Sequence, residues 1–332
     1  MDLVTQGALG AALAAAAAPR REVRVAAVVG LVGGLLPDVD ALVGSADDAL
    51  LVLEYHRHFT HALISVPLVA LVAAALAWPL LRRRLAFARI YLYALLGCLL
   101  AGVLDAATSY GTHLWWPFHR EPVAWNLVAI VDPVVTLCLL AGLGVALRRG
   151  SASPARVGLV LATLYLGLGV VQNHRATALA QALATERGHR PERMLVKPTI
   201  GNLVLWRALY VVDGRIHADA VRVLWPGGGR AYAGDSADML GSDGAPAWAV
   251  PGSRAAHDLE RFAKFSRGWL IRDPRNPDRV GDARYAMLPT SLEPLWMIAP
   301  RGPGEPVAFV TDRAFTHETR ERLVTMLLGR GD

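Results

Sequence analysis

Three stretches of the chain gather side chains that can bind metal or move protons. Asp38-Val39-Asp40 sets two carboxylates one residue apart just after Pro37, and such an Asp-x-Asp pair can hold a divalent cation through oxygen. His56-Arg57-His58-Phe59-Thr60-His61 carries three histidines in six residues, and imidazole is the commonest protein ligand for zinc and similar metals. Asp105 closes an apolar run, where an ionised carboxylate is costly unless it is paired or metal-bound. The candidate metal ligands are therefore Asp38, Asp40, His56, His61 and Asp105, and the expected cofactor is a divalent ion, zinc foremost. Such a metal lowers the pKa of a bound water and polarises an ester or phosphoester, with Asp38 or Asp40 as the catalytic base. His58 is left out as outward-facing. Plainer readings stand beside these: a helix end and turn at Pro37-Asp38, interfacial histidines at 56–61, and for Asp132-Pro133 a helix N-cap with proline at the first helical position. Asp132 as a buried site acid is compatible with that cap.

His56 and His61 are five apart, about 140° round a helix, so one regular helix would not present both on a face. They converge if His56 lies in a loop and Thr60-His61 opens the helix that begins at Ala62. Ala62–Leu81 is 20 residues without a charge, enough to cross a hydrocarbon core of roughly 30 Å. Further apolar runs are Leu3–Ala18, Val25–Leu36, Ile90–Leu104, Val123–Leu147 and Val157–Val171. Of 332 residues, 54% are hydrophobic and 19% charged, which sets aside a disordered chain or an ordinary soluble enzyme. The apolar character belongs to the first half: residues 1–175 hold 23 charged side chains and residues 176–332 hold 39.

The arginines of the first half sit in short loops between apolar runs, at 20–24, 82–89 and 148–156, whereas the loops with the histidines and aspartates carry few. The positive-inside rule places the basic loops in the cytoplasm and, by threading, the His/Asp loops and everything after Arg175 on the outer side. That placement reads the net charge of +6 as a topology signal, so no nucleic-acid partner is expected. The Ala-rich first segment is the weakest span and could instead lie flat on the membrane. Asp2 precedes it and the arginines follow it, the reverse of a signal peptide. Cys98 and Cys138 lie inside apolar runs without CxxC spacing, so neither a disulfide framework nor a cysteine zinc site is expected.

The second half reads as α+β. Asn202–Val212 and Arg215–Trp225 flank Asp213-Gly214, a strong hairpin signal. Gly268–Ile271, Arg284–Leu288, Leu295–Ala299 and Val307–Thr311 are further strand candidates, and Thr316 caps a last helix to about Leu328 with Leu323, Met326 and Leu327 at helical spacing. The organisation expected is a multi-pass α-helical membrane bundle (1–175), a linker helix (176–190) and a small extracytoplasmic α+β domain with antiparallel strands (191–332).

In Thr5–Gly10, Leu36–Asp40, His56–His61, Leu104-Asp105 with Thr108–Thr112, Trp116–Phe118 and Ile130–Pro133, the chain resembles the YdjM-type (LexA-binding) inner-membrane proteins, a family described as metal-dependent hydrolases. The resemblance covers most of residues 1–175 and extends more loosely to Pro198–Trp206 and Phe265–Gly268. It implies a bacterial inner-membrane location, a multi-helix domain related to zinc-dependent phospholipase C-like helical hydrolases, and metal held by His and Asp. Two positions depart: Gln6 stands where the family usually has His, and Ala101 where it often has one four residues before the aspartate. The metal complement is then smaller, or catalysis is lost.

The expected function is a membrane-embedded hydrolase acting at the outer face on an ester or phosphoester, with membrane lipid as partner and a lipid or lipid-linked substrate. The rival is a non-catalytic membrane protein with a structural metal or polar site, its outer domain binding a partner. A proton or ion pathway through Asp105 and Asp132 ranks last, because the acids cluster at one side of the membrane.

Overall fold

The computed structural model describes residues 1–241, 244–302 and 304–330. They form two compact units, one of residues 1–43, 55–171 and 200–202, the other of 44–54, 172–199 and 203 onward.

The first unit is helical. Its elements are α1 (Leu3–Ala17), α2 (Val23–Leu35), α4 (Val66–Leu81), α5 (Phe87–Leu99), α6 (Ala101–Ala106), α7 (Pro133–Arg149) and the first half of α8 (Ser153–Glu186); a short α3 (Leu51–Tyr55) returns the chain from the second unit. Among the described residues four stretches are long and apolar enough to cross a membrane: Arg20–Leu42, Leu63–Leu81, Phe87–Ala106 and Ser153–Glu186. α1, at 15 residues, is shorter, and it packs as an inner helix: ten of its residues are buried. Glycine makes that packing possible. A Cβ on Gly10 would stand 2.3 Å from the Gly30 carbonyl oxygen, and one on Gly97 2.5 Å from the same oxygen, so α1, α2 and α5 meet backbone to backbone. Small residues at helix crossings replace a hydrophobic driving force that lipid does not supply. Asp132 caps α7, accepting from Val134 N and Val135 N, and also takes a 3.0 Å bond from the Tyr165 hydroxyl. The cap reading of Asp132 therefore holds.

Among the described residues the second unit carries all the strands, β1 (Arg193–Pro198), β2 (Leu205–Val212), β3 (Arg215–Val223), β4 (Gly229–Tyr232), β5 (Ser236–Asp238), β6 (Leu270–Asp273), β7 (Asn276–Asp282), β8 (Trp296–Ala299) and β9 (Ala308–Thr311), with α9 (Arg254–Phe265) and α10 (His317–Leu327). One antiparallel sheet runs β1-β2-β3-β4, with β5 also on β3; the other runs β6-β7-β8-β9. The hairpin forms at Asp213 and Gly214, whose φ angles of 49° and 72° are the left-handed pair a type I′ turn requires. Leu209, Ile216 and Ala218 of the first sheet share a core with Ile271 of the second and with Trp269 just before it. Thr316 caps α10 through Thr319 N, and Met326 is buried against Leu205, Tyr232 and Leu288.

One strand expectation fails. Residues 284–288 are not a strand, and β7 lies just before them. Asp282 accepts from the Arg284 backbone N at 3.0 Å and from its guanidinium at 2.6 Å, an Asx-type turn that takes the chain out of the ladder. β7 itself was hidden by Pro277 and Gly281, residues depleted in strands.

Candidate metal centre

The first ligand-bearing element is a 3-10 segment, Leu36–Leu42, with Pro37 near its start. Proline cannot continue the hydrogen-bonding of α2, so the helix tightens there and Asp38 and Asp40 emerge on its inner side. The second element is irregular. α3 ends at Tyr55, Arg57 adopts φ 62°, Phe59–His61 makes a 3-10 turn, and α4 begins only at Val66. His56 and His61 thus converge from non-helical backbone. The third element is α6, whose Asp105 is fully buried. Gly102 on α6 lets the histidine turn close in, since a Cβ there would lie 2.1 Å from the His61 carbonyl oxygen.

These elements bring Asp38, His61 and Asp105 into one buried group whose ligand atoms lie within 4.8 Å of one another. His61 is at its centre. Its Nε2 is 3.4 Å from Asp38 Oδ1 and 3.2 Å from Asp105 Oδ2, close to the roughly 3.4 Å that separates two ligands held at about 2.1 Å around a tetrahedral zinc. Its Nδ1 faces Asp40 Oδ2 at 3.1 Å. An ionised carboxylate only accepts, so Nδ1 carries a proton, and in the neutral ring Nε2 presents a bare lone pair. Among the described residues, His61 Nε2, Asp105 Oδ2 and Asp38 Oδ2 are buried with no hydrogen-bond donor. Acceptors facing acceptors repel, and a cation between them removes the conflict. The donor set therefore fits a divalent metal held by three protein ligands.

Asp40 and His56 take a different place. Asp40 accepts from His56 Nδ1 at 2.9 Å, Arg57 N at 2.9 Å, the Thr60 hydroxyl and His61 Nδ1. Its oxygens are engaged by four donors, and it fixes the tautomer and aim of His61 as carboxylates behind metal-bound histidines do. His56 is partly exposed and is held by the same carboxylate through Nδ1, which leaves its Nε2 as the acceptor. His58 is not outward-facing: it packs at 4.3 Å between ring centroids on His113 and at 5.8 Å on Trp116, and burial lowers its pKa.

Arg57 was not singled out by type or spacing. It is buried, and its guanidinium lies 3.2 Å from Asp105 Oδ1, donates to Thr108 Oγ1 and the Met1 carbonyl, and covers the Tyr110 ring at 4.9 Å. The Met1 amino group also contacts Asp105 Oδ1. Both hold Asp105 Oδ1 while Oδ2 faces His61. Its place between His56 and His58 is the sequence signal that could have marked it. The two departing positions meet each other: Gln6 Nε2 donates to the Ala101 carbonyl at 3.2 Å, and Gln6 Oε1 is buried without a donor among the described residues.

An apolar helical unit with a buried carboxylate, imidazole and carboxylate group, followed by an antiparallel α+β unit, defines a membrane protein with a candidate metal centre. Residues 1–176 match the family model described as YdjM inner membrane protein, and the chain belongs to that family. It is also 25% identical over 170 residues to the "Uncharacterized protein YfhP" of Bacillus subtilis (strain 168), a match covering 51% of each chain. The chain thus spans about half the length of that relative. No solved structure matches.

Proposed function

We propose that the chain is a metal-dependent hydrolase of an ester or phosphoester, working at the outer face of the inner membrane on a lipid or lipid-linked substrate. The observation that carries this is the unmet acceptor trio of His61 Nε2, Asp38 and Asp105 Oδ2. Asp38, His61 and Asp105 would hold the ion, zinc foremost, and when bound it would supply Lewis acidity and an activated water. Asp40 orients His61 and, through Oδ1, holds His56 with Nε2 free to take a proton. The base role that the sequence suggested for Asp38 or Asp40 would then pass to His56, because Asp40 is engaged by four donors and Asp38 would hold the ion. Trp115 and Phe118, 51% and 84% exposed, suit a membrane-water boundary. The arginine loops support cytoplasmic loops and an outer second unit, which a reporter fused after Arg187 tests; exclusively cytoplasmic exposure would reverse it.

The direct test is zinc analysis of the detergent-purified protein and release of phosphate or alcohol from chromogenic esters, phosphodiesters and phospholipid vesicles. Metal-dependent turnover lost in His61→Ala is expected. Turnover equal in wild type and His61→Ala rejects the hydrolase. A second reading, a structural metal without catalysis, is favoured by the Gln6 to Ala101 hydrogen bond, which fills the place of two further family ligands. Bound zinc without turnover on any substrate selects it.

A further inference from the structure

The chain between the two ligand-bearing turns does not stay in the helical unit. Residues 44–54, which separate Asp40 from His56, belong to the second unit. Within it, Leu50 is 2% exposed and sits in a core with Phe262, Val280 and Ile298. Arg261 of α9 holds the segment on both sides of Leu50. Its guanidinium donates to Glu54 at 2.7 and 2.8 Å, the paired geometry of a strong charge-assisted contact, and to Asp48 at 3.0 Å. Asp258 fixes Arg261 in turn at 2.9 Å, and its other oxygen accepts from Val307 N. Asp48 also accepts from Leu50 N. A surface loop needs none of this; a long unsupported connection between two ligand turns would carry a loop-closure entropy that opposes bringing them together.

We propose that Arg261 is a positioning residue for the metal centre, and that the second unit governs metal affinity by holding the 44–54 segment. This rests on the reading of Asp38, His61 and Asp105 as the metal site. Glu54 is two residues before His56 and Asp48 eight after Asp40, so releasing Arg261 frees the chain on the side of each turn. The chemistry of the ligands is unchanged while their mutual placement loosens. A ligand or protein bound to the second unit at α9 would thereby adjust the centre without touching it.

The test uses the full-length protein in detergent, with Arg261→Met, Arg261→Lys, Glu54→Gln and, as a control, Arg215→Ala, which removes an exposed ion pair with Asp238 in the other sheet. Zinc affinity is read by competition with a chromophoric chelator, and amide exchange of residues 55–62 is read by mass spectrometry without metal. Arg261→Met should weaken zinc by about tenfold or more, the scale of lost outer-sphere support, and speed exchange at 55–62 by a similar factor. Arg261→Lys should restore part of both, and Arg215→Ala should change neither. Protection of the β6–β7 amides reports that the second unit is folded; if Arg261→Met loses it, Glu54→Gln decides in its place, with a smaller effect of the same sign. Exchange at 55–62 unchanged in a folded variant overturns the proposal whatever the metal result. Wild type that binds no zinc, while exchange still responds to Arg261, refutes the metal reading and leaves Arg261 as the residue that orders the histidine turn.

Discussion

Two buried ionic clusters in this chain have opposite character. In the second unit, Lys197, Arg207, Asp282 and Arg284 are all 7% exposed or less, and Lys197 and Arg207 face each other across β1 and β2. Their polar groups are largely answered from within. Arg207 donates to the carbonyls of Ala283, Leu288 and Pro289, Arg284 pairs with Asp282, and Lys197 lies 3.5 Å from the centre of the Tyr285 ring. In the helical unit the ligand atoms of Asp38, His61 and Asp105 gather within 4.8 Å of one another, and each residue has a buried acceptor without a donor among the described residues. Burial of charge alone therefore does not mark a site; an unmet set of like-signed atoms converging on a common position does.

The largest expected effect tests that distinction on the helical side. His61→Ala or Asp105→Asn should reduce bound zinc in detergent-purified protein to background, Asp40→Asn should weaken it about 10- to 100-fold by releasing the His61 ring, and His58→Ala should leave it unchanged. Stoichiometric zinc in His61→Ala would erase the difference between the clusters.

Next, the same carboxylate-to-amide change should act differently in the two places. Asp282→Asn breaks a satisfied buried pair and should destabilise the second unit by about 3–5 kcal/mol. Asp38→Asn removes an unmet acceptor and should leave the metal-free melting temperature equal or higher. A comparable loss from Asp38→Asn would make the helical cluster self-contained too.

A pH measurement sharpens the second cluster. Burial first, then the neighbouring Arg207 and Arg284 cations, push the Lys197 pKa well below its usual value. The unfolded chain then binds the extra proton between the folded pKa and about 10.5, so stability rises with pH across that window and is lost as pH falls through the folded pKa. Lys197→Met should be more stable than wild type at neutral pH, with the difference shrinking toward a pH of about 10.5. Denaturant melts of both proteins against pH would show a constant gap if Lys197 stayed charged.

The smallest effect concerns Gln6. Gln6→His introduces an imidazole at the position that departs from the resembled pattern and should raise zinc affinity by less than about tenfold, since Ala101 still offers no ligand atom from its side chain. A fall in affinity in the chelator competition would mean that Gln6 Oε1 already serves the metal.

How much of this was legible in the sequence follows from how local each feature is. The Asp213-Gly214 hairpin, the Thr316 cap and the Asp132-Pro133 helix start depend on neighbouring residues and could be read directly. Asp38, Asp40, His56, His61 and Asp105 could be named as candidates by type, but the division among them could not. Asp38 and Asp40 address opposite nitrogens of one imidazole, which only the third dimension separates. The assignment of residues 44–54 to the second unit was also invisible: nothing local to Leu50–Leu53 marks a segment packed with distant strands, and the partner, Arg261, lies 207 residues beyond Glu54. β7 escaped because its Pro and Gly contradict strand preference, which the ladder with β6 and β8 overrides.

The 2.1 Å that separates a Gly102 Cβ position from the His61 carbonyl oxygen makes that glycine a dimmer for the centre. A single methyl group there works as a wedge: it alters no ligand, no charge and no proton donor, yet the histidine turn has to back away from Asp105. Gly102→Ala would thus give a protein chemically complete at every metal-binding atom and mechanically unable to assemble them, a silent form against which the contribution of geometry alone can be weighed.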